Sequence, residues 1–183
     1  MVRALPVFSP PKDSAMSLSM HDLAVPLYVR ILEALKATLD KAVAHAKASG
    51  YDEAVLLEAR LYPDMWPVRQ QVVACTSFAV RGIARLAGVP VPQISEALDT
   101  FPDLQRRIDE TLAFVRSADR AEIDAGPERA LTVPWGKEQK AMTGLAYYQA
   151  LALPNFFFHA TTAYDILRHN GVPLAKADFT GPL

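Results

Sequence analysis

The chain has 183 residues, of which 51% are hydrophobic, and a formal net charge of −1. This length suffices for one domain with a hydrophobic core. The scattered Lys and Arg residues form no basic run, which argues against a nucleic-acid partner, and a single cysteine, Cys75, excludes an intrachain disulfide.

No apolar run approaches the roughly 20 residues that a membrane-spanning helix needs, so we expect no membrane association. Residues 1–17 contain three prolines and only a short apolar patch. A signal peptide has a longer apolar centre, and this segment is therefore predicted to be a disordered leader. The prediction is a cytoplasmic protein with one domain over residues 18–183.

Helical periodicity begins at Ser19. Apolar residues then recur mostly every four positions, and the predicted buried stripe contains Leu23, Leu27, Ile31, Leu35 and Leu39. Gly50 is predicted to end this first helix. Asp52 is predicted to cap a short helix that runs to Leu61.

Asp64 is the predicted N-cap of the second long helix, with Pro67 in its first turn. Its apolar stripe contains Met65, Val68, Val72, Cys75, Ala79, Ile83 and Leu86. Gly88 is predicted to close the helix. Because Cys75 falls in this stripe, it is expected to be an inert buried thiol.

Thr100 is predicted to open the third long helix. Residues 119–142 break the helical period and are interpreted as a small hairpin or an irregular excursion. Thr143 is predicted to cap the last helix, which Pro154 should kink or restart, and Asn170 with Gly171 should end it. Four long helices predict an all-α four-helix bundle.

The most informative single residue is His159, inside an aromatic run of the last helix. Asn155, His159 and Ala163 are spaced by four and share one helix face. A helical metal site usually has a second ligand four residues after the first, and here that position is alanine. Three interpretations remain open: a packed histidine bonded to a neighbouring helix, a ligand-binding or catalytic residue, or a metal ligand.

Further candidate binding residues lie at the start of the second helix. Asp64, Arg69 and Gln70 surround Trp66 in the segment PDMWPVRQQV. We expect Arg69 or Gln70 to point into the bundle toward His159 or Asn155. Trp135 is expected to fold over one end of the bundle, and Tyr164 of the last helix completes the predicted ligand-binding set.

The last helix also suggests a partner. The run ALALPNFFFHA has almost no polar face, whereas a bundle helix in a monomer should expose one. An apolar helix without a polar face is typical of a subunit interface. A homodimer is therefore predicted.

The segments EARLYPDMWPVRQQV, ARLAGVPVP and LPNFFFHATTAYDILRHNGVPLAKADF together resemble an uncharacterised family, domain-of-unknown-function family nineteen-ninety-three. That family is similar to the DinB-like superfamily of four-helix bundles. The resemblance implies a DinB-like bundle, many of whose relatives are dimers that bind a divalent metal through three histidines, one on the second helix and two on the last.

The resemblance places His159 as the first histidine of the last-helix pair. Ala163 occupies the position of the second, and residues 65–87 contain no histidine. The expectation is a metal-free small-molecule-binding or structural dimer with a degenerate metal site. The alternative is a transferase or hydrolase that uses His159 as a general base or as a ligand of a divalent metal.

Overall fold

A computed structural model describes residues 18–181 of the chain, so the predicted leader, residues 1–17, lies outside the described residues. The described part contains eight α-helices and one β-hairpin. In chain order they are α1 Met20–Ser49, α2 Ala54–Glu58, α3 Val68–Ala87, α4 Phe101–Ser117, α5 Arg120–Asp124, β1 Ala130–Trp135, β2 Glu138–Thr143, α6 Gly144–Tyr147, α7 Leu153–His169 and α8 Lys176–Thr180.

The four long helices α1, α3, α4 and α7 form the bundle, which confirms the predicted fold class. α3 is its centre, because it packs against both α7 and α4, while α1 lies against α4. The interior is built from aliphatic and aromatic side chains that these helices contribute to one shared core; it includes Leu32, Leu39, Val72, Ile83, Ile108 and Phe156. No described helix is both long and apolar enough to cross a membrane.

Most predicted helix ends are confirmed. The Ser19 hydroxyl accepts a hydrogen bond in the first turn of α1. Thr100 and Asp103 form a reciprocal capping box at the start of α4. Gly50 and Gly88 have φ values of 73° and 69°, a left-handed conformation that glycine adopts without steric cost and that terminates α1 and α3.

The predicted start of α3 is wrong. Asp64 is not its N-cap, because the helix begins only at Val68 and Pro67 occupies the preceding cap position. The ring of Pro67 disfavours a helical conformation at Trp66, the residue before it. Residues 61–66 therefore form a turn, in which the Met65 amide donates to the Tyr62 carbonyl at 2.9 Å.

The predicted stripe of α1 is also out of phase at its start. Leu23 is 46% exposed, whereas Ala24 and Tyr28 are fully buried. Each four-residue step advances about 40° beyond a full helical turn. Residues spaced by exactly four before the buried Leu39 therefore move progressively round the helix, and Leu23 no longer faces the core. The short helix α2 likewise ends at Glu58 rather than at Leu61.

The last helix is interrupted where a kink was predicted. Thr143 caps α6 by accepting a hydrogen bond from the Ala146 amide. The next five residues form a π-helical turn, in which the Leu153 amide donates to the Tyr148 carbonyl. Pro154 then lies in the first turn of α7, where its missing N–H breaks no helical bond.

The predicted hairpin between α4 and the last helix is confirmed as β1 paired antiparallel with β2. Its base is fastened to the bundle by a close backbone approach. A Cβ atom at Gly144 would lie 2.1 Å from the Gly126 carbonyl oxygen, and one at Gly126 would lie 2.5 Å from that of Leu86. Glycine is therefore required at both positions for this approach.

Candidate functional site

His159 lies on α7 and is only 7% exposed. Its Nδ1 atom is 2.8 Å from Oε1 of Gln71 on α3. The Gln71 amide nitrogen in turn donates to the backbone oxygen of Trp66 at 3.0 Å. The three residues form one chain of hydrogen bonds between α7, α3 and the turn before α3.

This chain of bonds defines the protonation of His159. Because the Gln71 nitrogen donates to Trp66, its oxygen faces the imidazole and must accept from an Nδ1–H. Burial lowers the pKa of His159 below its ordinary value of 6.5. The ring is therefore neutral near pH 7, with the proton on Nδ1 and a lone pair on Nε2.

Aromatic rings surround the imidazole. Trp66 and Phe78 lie almost parallel to it, with ring centroids 5.7 and 5.8 Å away. Phe158 meets it edge to face at 5.2 Å. These apolar neighbours exclude water from much of the ring, which is the cause of its lowered pKa.

An open cleft of about 240 Å³ lies beside this group along α3. Its walls combine two aromatic rings with polar and cationic groups; they include Trp66, Gln70, Ser77, Phe78 and Arg81. The Arg81 guanidinium lies 5.5 Å from the centre of the Phe78 ring, within cation–π distance. The cleft therefore offers a flat aromatic surface with polar groups at its edge.

The residues predicted around the start of α3 occupy different places. Gln70 lines the cleft with Trp66. Arg69 turns away, with its Nε atom 2.9 Å from Glu58, and Asp64 is exposed in the preceding turn. Neither Arg69 nor Gln70 forms the bond to His159, which comes from the neighbouring Gln71.

The other predicted residues lie apart from this group. Asn155 donates to the Leu151 carbonyl of its own helix and makes no bond to His159. Tyr164 packs edge to face against Phe179 near α8. Trp135 lies on the hairpin, where the Lys140 ammonium sits 4.8 Å from its ring centre.

The donor atoms around His159 do not fit a divalent metal. Ala163 is buried and contributes no ligand. The side chain that reaches His159 from α3 is a carboxamide, whereas zinc and related metals take thiolate, imidazole or carboxylate. Among residues 18–181, no three His, Cys, Asp or Glu side chains are grouped as a metal site would require. Cys75 is fully buried, and burial raises the pKa of its thiol.

The sequence contains a signal for Gln71, although Gln71 was not among the predicted site residues. Gln71 follows Val68 by three residues and precedes Cys75 by four, so it lies on the buried face of α3. A polar side chain on an apolar stripe needs a buried partner. Phe78 carried no comparable signal, because an aromatic residue is ordinary on such a helix.

Comparisons with known proteins agree with this architecture. The model of a family described as "Domain of unknown function (DUF1993)" matches residues 20–180. A solved structure, of a DinB family member protein from Shewanella denitrificans, superposes with a TM-score of 0.83 at 34% sequence identity. The match covers 90% of this chain and 93% of that chain. No curated protein matches the sequence.

Proposed function

Because the chain belongs to the DUF1993 family and shares the fold of a DinB family member, we propose that it binds a small molecule without a metal ion. The proposed site is the aromatic cleft beside His159. The Trp66 and Phe78 rings receive a flat part of the ligand, and polar groups at the cleft edge orient it.

One observation carries this proposal: the bond between His159 and Gln71. It uses Nδ1 as a donor to an amide, in a place where the resemblance implied a set of metal-binding histidines. The neutral imidazole instead packs against Trp66 and Phe78, the two aromatic residues that line the cleft. Trp66, a residue that is 55% exposed, supplies apolar contact area.

The proposal is tested by saturation-transfer NMR with nicotinamide and phenol as probes. We expect transfer to both probes in the native protein and its loss in Trp66→Ala, because the stacking surface is removed. Trp135→Ala is the matched control, since it removes a tryptophan of similar exposure on the hairpin. Equal transfer in the two variants, or none in the native protein, would contradict the proposal.

Metal independence is tested in the same experiment. Prior dialysis against a chelator, and separate addition of zinc or nickel chloride, should leave both the transfer signal and the thermal midpoint unchanged. Elemental analysis of protein purified without a histidine tag should show no stoichiometric zinc, nickel or iron. A metal that is lost in His159→Ala would overturn the metal-free site.

A second candidate function, general-base catalysis by His159, is favoured by its orientation. The bond to Gln71 holds the proton on Nδ1 and leaves Nε2, on the opposite side of the ring, unprotonated. An orienting partner has the same effect on histidine in many catalytic sites. Turnover of any ligand found in the cleft should then be lost in His159→Gln with binding retained. Unchanged turnover in that variant would leave binding as the function.

We also propose that the protein is a homodimer. Phe158 is 57% exposed on α7. A second copy would bury this ring, which water solvates poorly, and would leave Trp66 free for the ligand. Sedimentation equilibrium should give twice the chain mass, and Phe158→Asp should reduce it toward one; a native monomer would refute the dimer.

A further inference from the structure

A second buried polar group lies on the other flank of α3. Arg107 of α4 is only 7% exposed. Its Nε atom donates to the Thr76 hydroxyl at 2.8 Å, and its two terminal nitrogens donate to the Ser95 carbonyl at 2.5 Å and the Ser77 hydroxyl at 2.9 Å. The guanidinium thus joins α3, α4 and the segment 89–99 between them.

All three partners of this guanidinium are electrically neutral. Within the described part of the chain, no carboxylate oxygen lies within 4.0 Å of Arg107. A buried cation is normally paired, because desolvation without a counter-charge is costly. Burial accordingly lowers the pKa of Arg107, and the nearby Arg81 lowers it further.

The nearby acidic groups compensate this charge only in part. Glu96 and Glu110 act on Arg107 from a distance. The Glu110 carboxylate already accepts a hydrogen bond from the Ser95 amide at 2.7 Å. Two of the five guanidinium N–H groups of Arg107 remain for another acceptor.

Arg107 borders an open cleft of about 590 Å³. Arg81, Glu96 and Arg107 are the charged residues of its wall, two cations and one carboxylate. The second carboxylate, Glu110, is not part of the wall and is already bonded to the Ser95 amide. Much of the remaining wall is aliphatic, including Val73, Val91 and Leu98. The matching ligand carries one negative charge and an apolar body.

We propose that this cleft, between α3, α4 and the segment 89–99, binds a small organic monocarboxylate. The carboxylate lies between the guanidinium groups of Arg107 and Arg81, where charge-assisted hydrogen bonds are strongest. The alkyl or aryl part of the ligand packs on the aliphatic wall. This second site adjoins the aromatic cleft through Ser77 and Arg81, and it does not depend on the function proposed there.

The test compares octanoate with octanamide, which has nearly the same shape and no charge, by isothermal titration calorimetry. We expect octanoate to bind at least about tenfold more tightly, since a charge-assisted hydrogen bond exceeds a neutral one. Its affinity should fall between 50 and 500 mM sodium chloride, because salt screens the attraction. Equal affinities, or no octanoate binding, would overturn the site.

Two variants locate the binding. Arg81→Gln removes an exposed cation with little risk to folding, and it should weaken octanoate about threefold to tenfold while octanamide is unaffected. Arg107→Met, after circular dichroism shows it folded, should abolish the preference for octanoate. Arg69→Gln is the control on the same helix, because Arg69 pairs with Glu58 outside the cleft; an equal loss there would refute the assignment.

The calorimetric test of this site and the saturation-transfer test of the aromatic cleft can fail independently. Saturation transfer to nicotinamide without any preference for octanoate would reject the carboxylate site alone. A preference for octanoate with no transfer to nicotinamide would reject the aromatic binding site and retain this one.

Discussion

The two flanks of α3 hold buried polar side chains in different ways. Toward α7, His159 is bonded to the Gln71 amide and surrounded by aromatic rings. Toward α4, Arg107 is bonded to two hydroxyls and a carbonyl. Both side chains are only 7% exposed, yet one carries a charge and the other does not.

The difference arises because the two groups differ in how readily they lose a proton on burial. Imidazole loses its proton within the physiological pH range, so His159 becomes neutral and a neutral amide satisfies it. Guanidinium cannot be deprotonated in proteins, so Arg107 keeps its charge and neutral partners leave it only partly compensated. The buried group on the α7 flank is thus neutral and needs no counter-charge, whereas the buried cation on the α4 flank can still bind an anion.

Removal of the Arg107 guanidinium should destabilise the protein most. Arg107→Met should lower the free energy of unfolding by about 3 kcal/mol, because three hydrogen bonds from a charged donor are lost. Urea denaturation measures it. A loss below about 1 kcal/mol would mean that desolvation of the charge offsets most of what its bonds contribute.

A smaller loss is expected on the other flank. His159→Phe keeps an aromatic ring but leaves the Gln71 oxygen without its donor, which should cost about 1–2 kcal/mol. Gln71→Leu should cost a similar amount. Because the two side chains are partners, the double variant should lose less than the sum of the single losses; strict additivity would contradict the bond.

The stability of the protein should also depend on pH through His159. Since the pKa of His159 is lowered in the folded state, the unfolded state binds a proton first as the pH falls. Stability should be full above about pH 6.5, the unfolded value, and decline as the pH falls toward the folded pKa.

The control for this dependence is His159→Gln, which should lose the decline that begins as the pH falls below 6.5. Asp22, Asp103 and Asp178 have pKa values lowered from 3.8 by hydrogen bonds and ion pairs. These carboxyl groups titrate below pH 3.8, so their stabilising contribution is lost only in more acidic solution. An unchanged profile in the variant would assign the decline to another group.

The smallest effect is expected at an arginine with an exposed partner. Arg69 and Glu58 form an ion pair in which the carboxylate side chain is half exposed. Arg69→Gln should change the free energy of unfolding by about 0.5 kcal/mol or less, because water and salt screen such a pair. A loss as large as that of Arg107→Met would break the contrast between paired surface charge and buried unpaired charge.

Both buried polar residues left a similar trace in the sequence. Gln71 lies on the apolar stripe of α3, and Arg107 follows Leu104 by three residues and precedes Thr111 by four, so it lies on the buried stripe of α4. Such a position predicts that a polar side chain is buried. It does not identify the partner, because that residue is on another element.

Local sequence patterns were enough to predict the four long helices, most of their caps and the four-helix architecture, but not the start of α3. These depend on interactions over three or four residues, such as the capping box of Thr100 and Asp103 or the left-handed Gly88. The sequence also indicated His159 as the candidate functional residue of α7, and it showed alanine at position 163, where a second histidine of a pair would lie.

Which side chains meet depends on contacts between residues that are far apart in the chain. The contact of Gln71 with His159 spans 88 residues of chain, and that of Arg107 with Thr76 spans 31. Such contacts depend on how each helix is rotated and shifted against its neighbour, and a shift of one residue turns a side chain by about 100°. Local spacing does not define that rotation, because it is set by the packing of the whole core.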